Sequence, residues 1–486
     1  MHDGQLLIPG QTCWRLEHAD QFACIIDAAD YFYHAKTAML QAQRRIVLIG
    51  WDFDTRMRFE PAGKTLPGPN RLGPFLRWLL RDRPDLKIYL LKWNMSMVTE
   101  FQAVRRGMTP VVVQNWLSGK RVQFAIDRAH PVGSVQHQKI MVIDDSLAFC
   151  GGIDMTVDRW DTSDHVHRSH LRRSVTGRRY SPRHDVSAAV DGPAARAIAE
   201  QARRRWQAAT SKSLAPIKLE HAVWPDDLEP AVCEVDVGIA RTLPAPDPDG
   251  AVREVEALNL AAIAAARHII YIENQYMASR KVAEALAARL CDPEGPEVVI
   301  VLPRNSESWL EQQAMDGARL NLLQLLWAAD DHGRLGVYWP VTDGGEPIYV
   351  HSKVLVIDDQ LLRIGTSNLN NRSMGFDSEC DLAVEADPAF PLHDKVRRAI
   401  VSARHRLVGE HLGLPVDEFE HAMNRCGSLL QAIESLRGQG KTMRRFEPDT
   451  VAGEDSPLAE NDLLDPDQVP PSPVRRMQRF IARLTQ

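Results

Sequence analysis

The apolar positions of this chain fall into two parallel series. In each half an amphipathic stretch precedes a short unbroken apolar run: Tyr31, Phe32, Ala35, Met39 and Ala42 before Arg45-Ile46-Val47-Leu48-Ile49, and Val252, Val255, Leu258, Ala262, Ile263 and Ala266 before His268-Ile269-Ile270-Tyr271-Ile272. Spacing by three and four predicts a helix, and a run without alternation predicts a strand buried on both faces. Lys87 to Leu91 and Val298 to Leu302 predict one further strand in each half. Later come two paired runs, Ile140 to Ile143 with Leu147 to Phe149, and Val354 to Ile357 with Leu361 to Ile364. Asp144-Asp145-Ser146 and Asp358-Asp359-Gln360 separate the members of each pair and predict tight turns. Each resulting hairpin ends at small residues, Gly151-Gly152 or Gly365-Thr366-Ser367-Asn368. The expected fold is α/β: two similar lobes, each a mixed β-sheet flanked by helices.

These hairpins carry the candidate chemistry. The pattern His-x-Lys-x-x-x-x-Asp occurs as His137, Lys139, Asp144 and as His351, Lys353, Asp358, inside the frames His-Gln-Lys-Ile-Met-Val-Ile-Asp-Asp and His-Ser-Lys-Val-Leu-Val-Ile-Asp-Asp. With Arg counted as Lys and Glu as Asp, composition alone yields roughly 0.27 chance copies of one such pattern per chain, so the repeated frame carries the weight. In a strand, residues two apart share a face, which lets each imidazole and ammonium meet one ligand. Two such faces related by a pseudo-dyad, with the site between the lobes, suit a phosphodiester. The lysines neutralise non-bridging oxygens, one imidazole attacks phosphorus, and the other protonates the leaving oxygen. The motif aspartates are expected to orient the rings and stabilise imidazolium. Glu273 and Gln275 share a strand face and are expected to line the cleft, the alternative being a buried hydrogen-bond network.

The 486 residues, 44% hydrophobic and 25% charged, suffice for two cores. Residues 1–225 are expected to form the first lobe, 226–430 the second, and 431–486 a partly disordered tail. Glu447 to Asp467 is acidic and prolines continue to Pro473. Beyond them Val474, Met477, Phe480, Ile481 and Leu484 alternate with arginines at helical spacing, a basic amphipathic end that could meet an anionic membrane or the protein's own surface. Seven scattered cysteines without a Cys-x-x-Cys pair point to neither a disulfide framework nor a zinc site, and so to a reducing compartment. Neither a leader pattern nor a run of about 20 apolar residues is present, which predicts a soluble or peripheral protein. The net charge of −6 offers nucleic acid no global attraction.

Residues 156–183 form a basic loop containing His165, His167, His170, Arg168, Arg172, Arg173, Arg178, Arg179 and Arg183. It reads either as a contact for anionic head groups or a second phosphate, or as a solvated insertion. The three histidines lack acidic or cysteine partners at ligand spacing, so no metal site is expected. Trp51, Trp93 and Trp160 are candidates for a lipid-accepting surface, or else core residues.

The paired motifs resemble those of the phospholipase D superfamily. Gly151-Gly152-Ile153-Asp154-Met155 with Asp158-Arg159-Trp160-Asp161 resembles the region after the first motif in true phospholipases D. Asn368-Leu369-Asn370-Asn371-Arg372-Ser373-Met374-Gly375 with Asp377-Ser378-Glu379 resembles their Gly-Ser-Ala-Asn-Ile-Asn-x-Arg-Ser-Met stretch. Tyr271-Ile272-Glu273-Asn274-Gln275-Tyr276 resembles another signature, and Arg183-His184-Asp185-Val186 with Arg205-Trp206 resembles the end of the first lobe. The likeness covers roughly residues 22 to 410.

The resemblance implies cleavage of the distal phosphodiester of a glycerophospholipid to phosphatidic acid and a headgroup alcohol. A covalent phosphohistidine is implied, with transphosphatidylation as a side reaction and no metal or organic cofactor. By analogy with bacterial members it makes His137 the nucleophile and His351 the general acid, a distinction the symmetric motifs do not themselves draw. Lys139, Lys353 and Asn368 are implied phosphate contacts, joined by Gly152, Ser367 and Ser373. Three departures stand out: Asp154 where the second half has Asn368, Gly365-Thr366 for the commoner Gly-Ser, and Arg183 for an aromatic residue. The alternatives are a cardiolipin synthase-type phosphatidyltransferase and a nuclease of the same superfamily. The expected partners are a phospholipid substrate and, transiently, an anionic membrane surface, with no nucleic acid. Oligomerisation is not required, since both motifs are in one chain, and the expected location is the cytoplasm or the inner face of the membrane.

Overall fold

The computed structural model describes residues 4–93, 121–217, 223–245, 250–307, 315–389, 392–448 and 465–467. The first half contributes β1 (Arg15–Ile26), α1 (Ala28–Gln41), β2 (Arg45–Gly50), α2 (Leu72–Asp82), β3 (Lys87–Trp93), β4 (Val122–Asp127), β5 (Ile140–Ile143), β6 (Leu147–Gly151), β7 (Arg183–His184), β8 (Val186–Asp191) and α3 (Gly192–Thr210). The second contributes β9 (Val232–Leu243), β10 (Val252–Arg253), α4 (Glu254–Ala265), β11 (Ile269–Glu273), α5 (Arg280–Cys291), β12 (Glu297–Val301), α6 (Gly317–Ala329), β13 (Leu335–Val341), β14 (Tyr349–Val350), β15 (Val354–Ile357), β16 (Leu361–Gly365), α7 (Asn371–Gly375), β17 (Glu379–Glu385) and α8 (His393–Leu412). After it come α9 (Val416–Cys426), α10 (Leu429–Leu436) and β18 (Thr442–Arg445).

Among the described residues, all strands except β7 and β14 form one mixed sheet rather than two. Outward from an antiparallel β1–β9 seam, one arm runs β1-β8-β6-β5-β2-β3-β4 and the other β9-β17-β16-β15-β11-β12-β13, with β18 added at the end. The arms repeat the same succession of hairpin, antiparallel neighbour and parallel strands. The length of β1 makes the junction: residues 15–22 pair with β9, and residues 22–26 pair with β8. A separate pair, β7 with β14, joins the halves near the motifs.

The unbroken apolar runs have the expected cause. In β5, Ile140 and Val142 face a core shared by both halves, while Met141 and Ile143 face α1 and α2 in the first half's own core. In β15, Val354 and Val356 face the shared core, and Leu355 and Ile357 face that of the second half. Alternation vanishes because both sides are dry. At the hairpin turns Asp144, Asp145 and Asp358 adopt φ of 52°, 55° and 51°, a left-handed conformation that Asp tolerates better than most residues.

Ordered packing continues past the expected boundary at 430. Ala432, Ile433 and Met443 belong to the shared core, Phe446 to the second half's core, and β18 extends the sheet. The amphipathic end, Val474 to Gln486, lies outside the described residues. Among the described residues no helix is long and apolar enough to cross a membrane.

Candidate active site

His137 and Lys139 lie in the extended segment leading into β5, and His351 and Lys353 in the one leading from β14 into β15; both pairs were expected inside the strands themselves. In both copies the lysine folds back on its histidine, Lys139 Nζ donating to the His137 carbonyl at 3.1 Å and Lys353 Nζ to that of His351. Each histidine is anchored by the opposite half. The His137 amide donates to the Ser378 carbonyl (3.0 Å), and the His351 amide to the His184 carbonyl (2.8 Å). The next residue in each partner segment then supplies a carboxylate to the ring. Glu379 meets His137 Nδ1 at 3.0 Å, and Asp185 meets His351 Nδ1 at 2.7 Å.

The motif aspartates therefore do not orient the rings, contrary to expectation. Asp144 accepts the amides of Gln43, Arg44 and Arg45 at 2.6–2.8 Å, and Asp358 those of Arg267, His268 and Ile269 at 2.7–2.9 Å. They tie each hairpin turn to the start of β2 or β11. Asp185 and Glu379 take the ring-orienting position that the sequence reading gave to Asp144 and Asp358.

Burial dominates the electrostatics. It raises the Glu379 carboxyl to about 8 and the Asp185 carboxyl to about 7, and it lowers the Lys353 ammonium to about 7. Both imidazoles sit well below their usual range, first through burial and then through nearby cations. Among those cations is the lysine of the other motif in each case, so the two motifs share one electrostatic site. An anionic ligand there would reverse the bias and favour imidazolium and ammonium.

The remaining candidates divide. Asn368 is 5% exposed and its Oδ1 has no hydrogen-bond partner, which suits an incoming ligand. Ser373 Oγ donates to Glu379 at 2.7 Å and accepts from the Asn368 amide, so it positions the carboxylate. Ser367 is engaged by Asp381 and Arg363 and is a scaffold residue. Gly152 admits Asp185: a Cβ there would fall 1.9 Å from Asp185 Oδ1 and 2.9 Å from the His351 carbonyl oxygen. Gln275 accepts from Lys353 Nζ at 3.3 Å and donates to Tyr349. Glu273 does not line the cleft; it is fully buried between His184, His411 and Tyr271. Asp154 pairs with Lys139 at 3.6 Å and accepts the Trp51 amide, which keeps its charge compensated.

The 156–183 segment is only partly a solvated insertion. His165 and Arg172 are buried and both bind Asp161, whereas Arg178 and Arg179 line an open cavity of about 1170 Å³ that also contains Arg183, Arg304 and Tyr349. The Tyr349 ring lies 6.4 Å from that of His351, so this cavity adjoins the site. Trp160 is a core residue; Trp51 and Trp93 stack at 5.8 Å, half-buried.

A family model described as cardiolipin synthase, PLD-like domain, matches residues 260–401. Phospholipase D A of Dictyostelium discoideum is 23% identical over 80% of this chain and 35% of its own length. Phospholipase D beta 2 of Arabidopsis thaliana is 25% identical over 79% of this chain and 56% of its own. The chain thus spans between a third and just over half of these relatives. In fold it is similar to phosphatidylserine synthase of Haemophilus influenzae Rd KW20, with a TM-score of 0.53 at 13% identity across 100% of this chain and 98% of that one. Relatives aligned over about four fifths of the chain, with a family model over part of its second half, support placing it in the phospholipase D superfamily, close to the phospholipases D.

Proposed function

We propose that the chain is a phosphodiesterase of the phospholipase D type, hydrolysing the distal phosphodiester of a glycerophospholipid to phosphatidic acid and the headgroup alcohol. The observation that carries this reading is reciprocal: each motif histidine receives its carboxylate from the other half of the chain. A carboxylate on Nδ1 leaves Nε2 of each ring for chemistry.

His137 Nε2 attacks phosphorus and the bond to the headgroup oxygen breaks, while His351 Nε2 gives that oxygen its proton. His351, now neutral, takes a proton from water, whose oxygen attacks the phosphohistidine and frees His137. Lys139, Lys353 and Asn368 hold the non-bridging oxygens, and burial strengthens those contacts. An alcohol in place of water gives transphosphatidylation. Contact with the membrane is peripheral, through the basic rim of the adjoining cavity.

A second reading differs only in the acceptor. The match of residues 260–401 to a cardiolipin synthase-type domain favours transfer of the phosphatidyl group to a lipid hydroxyl.

The test is headgroup release from mixed phosphatidylcholine, phosphatidylethanolamine and phosphatidylglycerol vesicles with ethanol present, followed by mass spectrometry. Wild type is expected to form phosphatidic acid and phosphatidylethanol, and His137→Ala and His351→Ala neither. Only one of the two variants should trap a phosphoenzyme. Substantial turnover by either variant would end the shared-site mechanism, and cardiolipin as the main product would establish the second reading.

A further inference from the structure

Behind the two motifs lies a second cluster that the phosphodiester chemistry does not use. Asp27, His165 and His184 from the first half meet Glu410 of α8, with one ligand atom from each within 4.8 Å of all the others. Asp27 is 1% exposed, both histidines are fully buried, and the Glu410 side chain is 7% exposed. His165 Nε2 lies 3.0 Å from Glu410 Oε1 and 3.6 Å from Asp27 Oδ2; His184 Nδ1 lies 2.7 Å from Glu410 Oε1 and 3.4 Å from Asp27 Oδ1.

We propose that Asp27, His165, His184 and Glu410 form a closed structural site for a divalent transition-metal ion, zinc by its chemistry. Donors bound tetrahedrally to zinc at about 2.1 Å stand about 3.4 Å apart, and the four separations bracket that value. Two carboxylates and two neutral imidazoles carry a charge that one divalent ion cancels, taking the place of the protons the histidines would otherwise bind in this dry interior.

Two observations point to a ligand rather than to a closed hydrogen-bond network. Asp27 Oδ2 is buried and accepts no hydrogen bond. Moreover, the ring nitrogen of each histidine facing away from the cluster is held by a further carboxylate: His165 Nδ1 by Asp161 at 3.0 Å, and His184 Nε2 by Glu273 at 2.8 Å. Those carboxylates are themselves fixed, Asp161 by Arg172 and Glu273 by His411 and Tyr271. A backing carboxylate that sets the tautomer and aims the other nitrogen is the usual arrangement around a metal-bound imidazole.

All four ligand positions come from protein, so the site supports rather than catalyses. What it supports is specific. It would tie α8 of the second half to β7 and the segment before α1 in the first. The His184 carbonyl holds the His351 amide, and the adjacent Asp185 holds the His351 ring.

The experiment is metal analysis of the full chain, independent of any lipid assay. Protein unfolded in chelator and refolded with zinc is expected to retain about one ion per chain after gel filtration. It should melt several degrees higher than protein refolded without metal, since an ion bound only by the folded state stabilises it. Refolding with cobalt should give the intense visible bands of a tetrahedral centre. Asp27→Asn and His165→Gln should lose the ion, while His170→Gln, an exposed histidine of the same loop, keeps it. Protein refolded in excess zinc that holds only a trace of metal and melts at the metal-free temperature would overturn the proposal; the cluster would then be a network of imidazolium ions and carboxylates.

Discussion

His137 Nδ1 lies 3.0 Å from Oε1 of Glu379, a residue 242 positions further along the chain and in the opposite half. The same exchange runs the other way between His351 and Asp185, 166 positions apart. Neither half therefore holds a complete set. The two carboxylates differ in their further partners. Glu379 is also held by the hydroxyls of Ser373 and Thr366, whereas Asp185 takes the Val186 amide. That asymmetry gives two near-identical motifs a physical basis for unequal roles.

Replacing the ring-orienting carboxylates should damage the chemistry more than the fold. Glu379→Gln and Asp185→Asn keep shape and hydrogen-bonding capacity but lose the ionisable carboxyl, which can give up its proton to balance an imidazolium. A fall in kcat of about 100-fold or more is expected for each, with little change in melting temperature. Measured kcat within a factor of two of wild type in either variant would remove these residues from the mechanism.

The motif aspartates predict the opposite pattern. Asp144→Asn removes the charge on which three backbone donors converge and turns an amide NH2 toward at least one of them, at a cost of about 1–3 kcal/mol. Thermal unfolding should drop by several degrees while kcat per folded molecule stays within about tenfold of wild type. An unchanged melting temperature with abolished turnover would restore the catalytic reading of Asp144.

Why the sequence misplaced Asp144 is geometric. A motif read as a unit suggests spatial proximity, yet seven residues of extended chain carry Asp144 about 23 Å from His137, to the far end of the hairpin. The strands themselves were legible, because burial on both faces of β5 and β15 erases alternation and leaves the Asp-rich turns conspicuous. Asp185 and Glu379 stood in plain sight beside their histidine-binding neighbours. Their role was hidden because no periodicity reports a contact between segments more than 160 residues apart. Glu273 failed for a related reason: β11 ends at Glu273, short of Gln275, and the histidines that cover Glu273, His184 and His411, arrive from β7 and α8. Of the acidic partners of His165, Asp27 and Glu410 are distant in sequence, whereas Asp161 stands only four residues before it and the spacing was overlooked.

Gly152→Ala tests the packing between the halves. The added methyl would stand 1.9 Å from Asp185 Oδ1, so the carboxylate must leave His351 or the backbone must move. Either displaces the ring from its partner. Loss of most activity is expected from a change that adds one carbon, with the protein still folded by circular dichroism. Full activity would mean that Asp185 can be relocated without consequence, against its proposed role.

The pH profile should expose Lys353. Burial lowers its ammonium to about 7, with Asp185, Glu379 and Asp154 pulling upward and Lys139 pushing down. Below that value the side chain is charged and can hold a phosphate oxygen; as pH rises through it, the free protein loses that charge. Hence kcat/KM, which reports the free protein, is expected to fall on its alkaline side from about pH 7. A bound phosphodiester adds negative charge beside the ammonium, so the alkaline limb of kcat should lie at higher pH than that of kcat/KM. Asp154→Asn removes one charge that favours the protonated lysine and should move the kcat/KM limb toward lower pH. A kcat/KM profile flat from pH 6 to 9, or a limb that moves upward in Asp154→Asn, would show that the lysine charge is not what holds the phosphate.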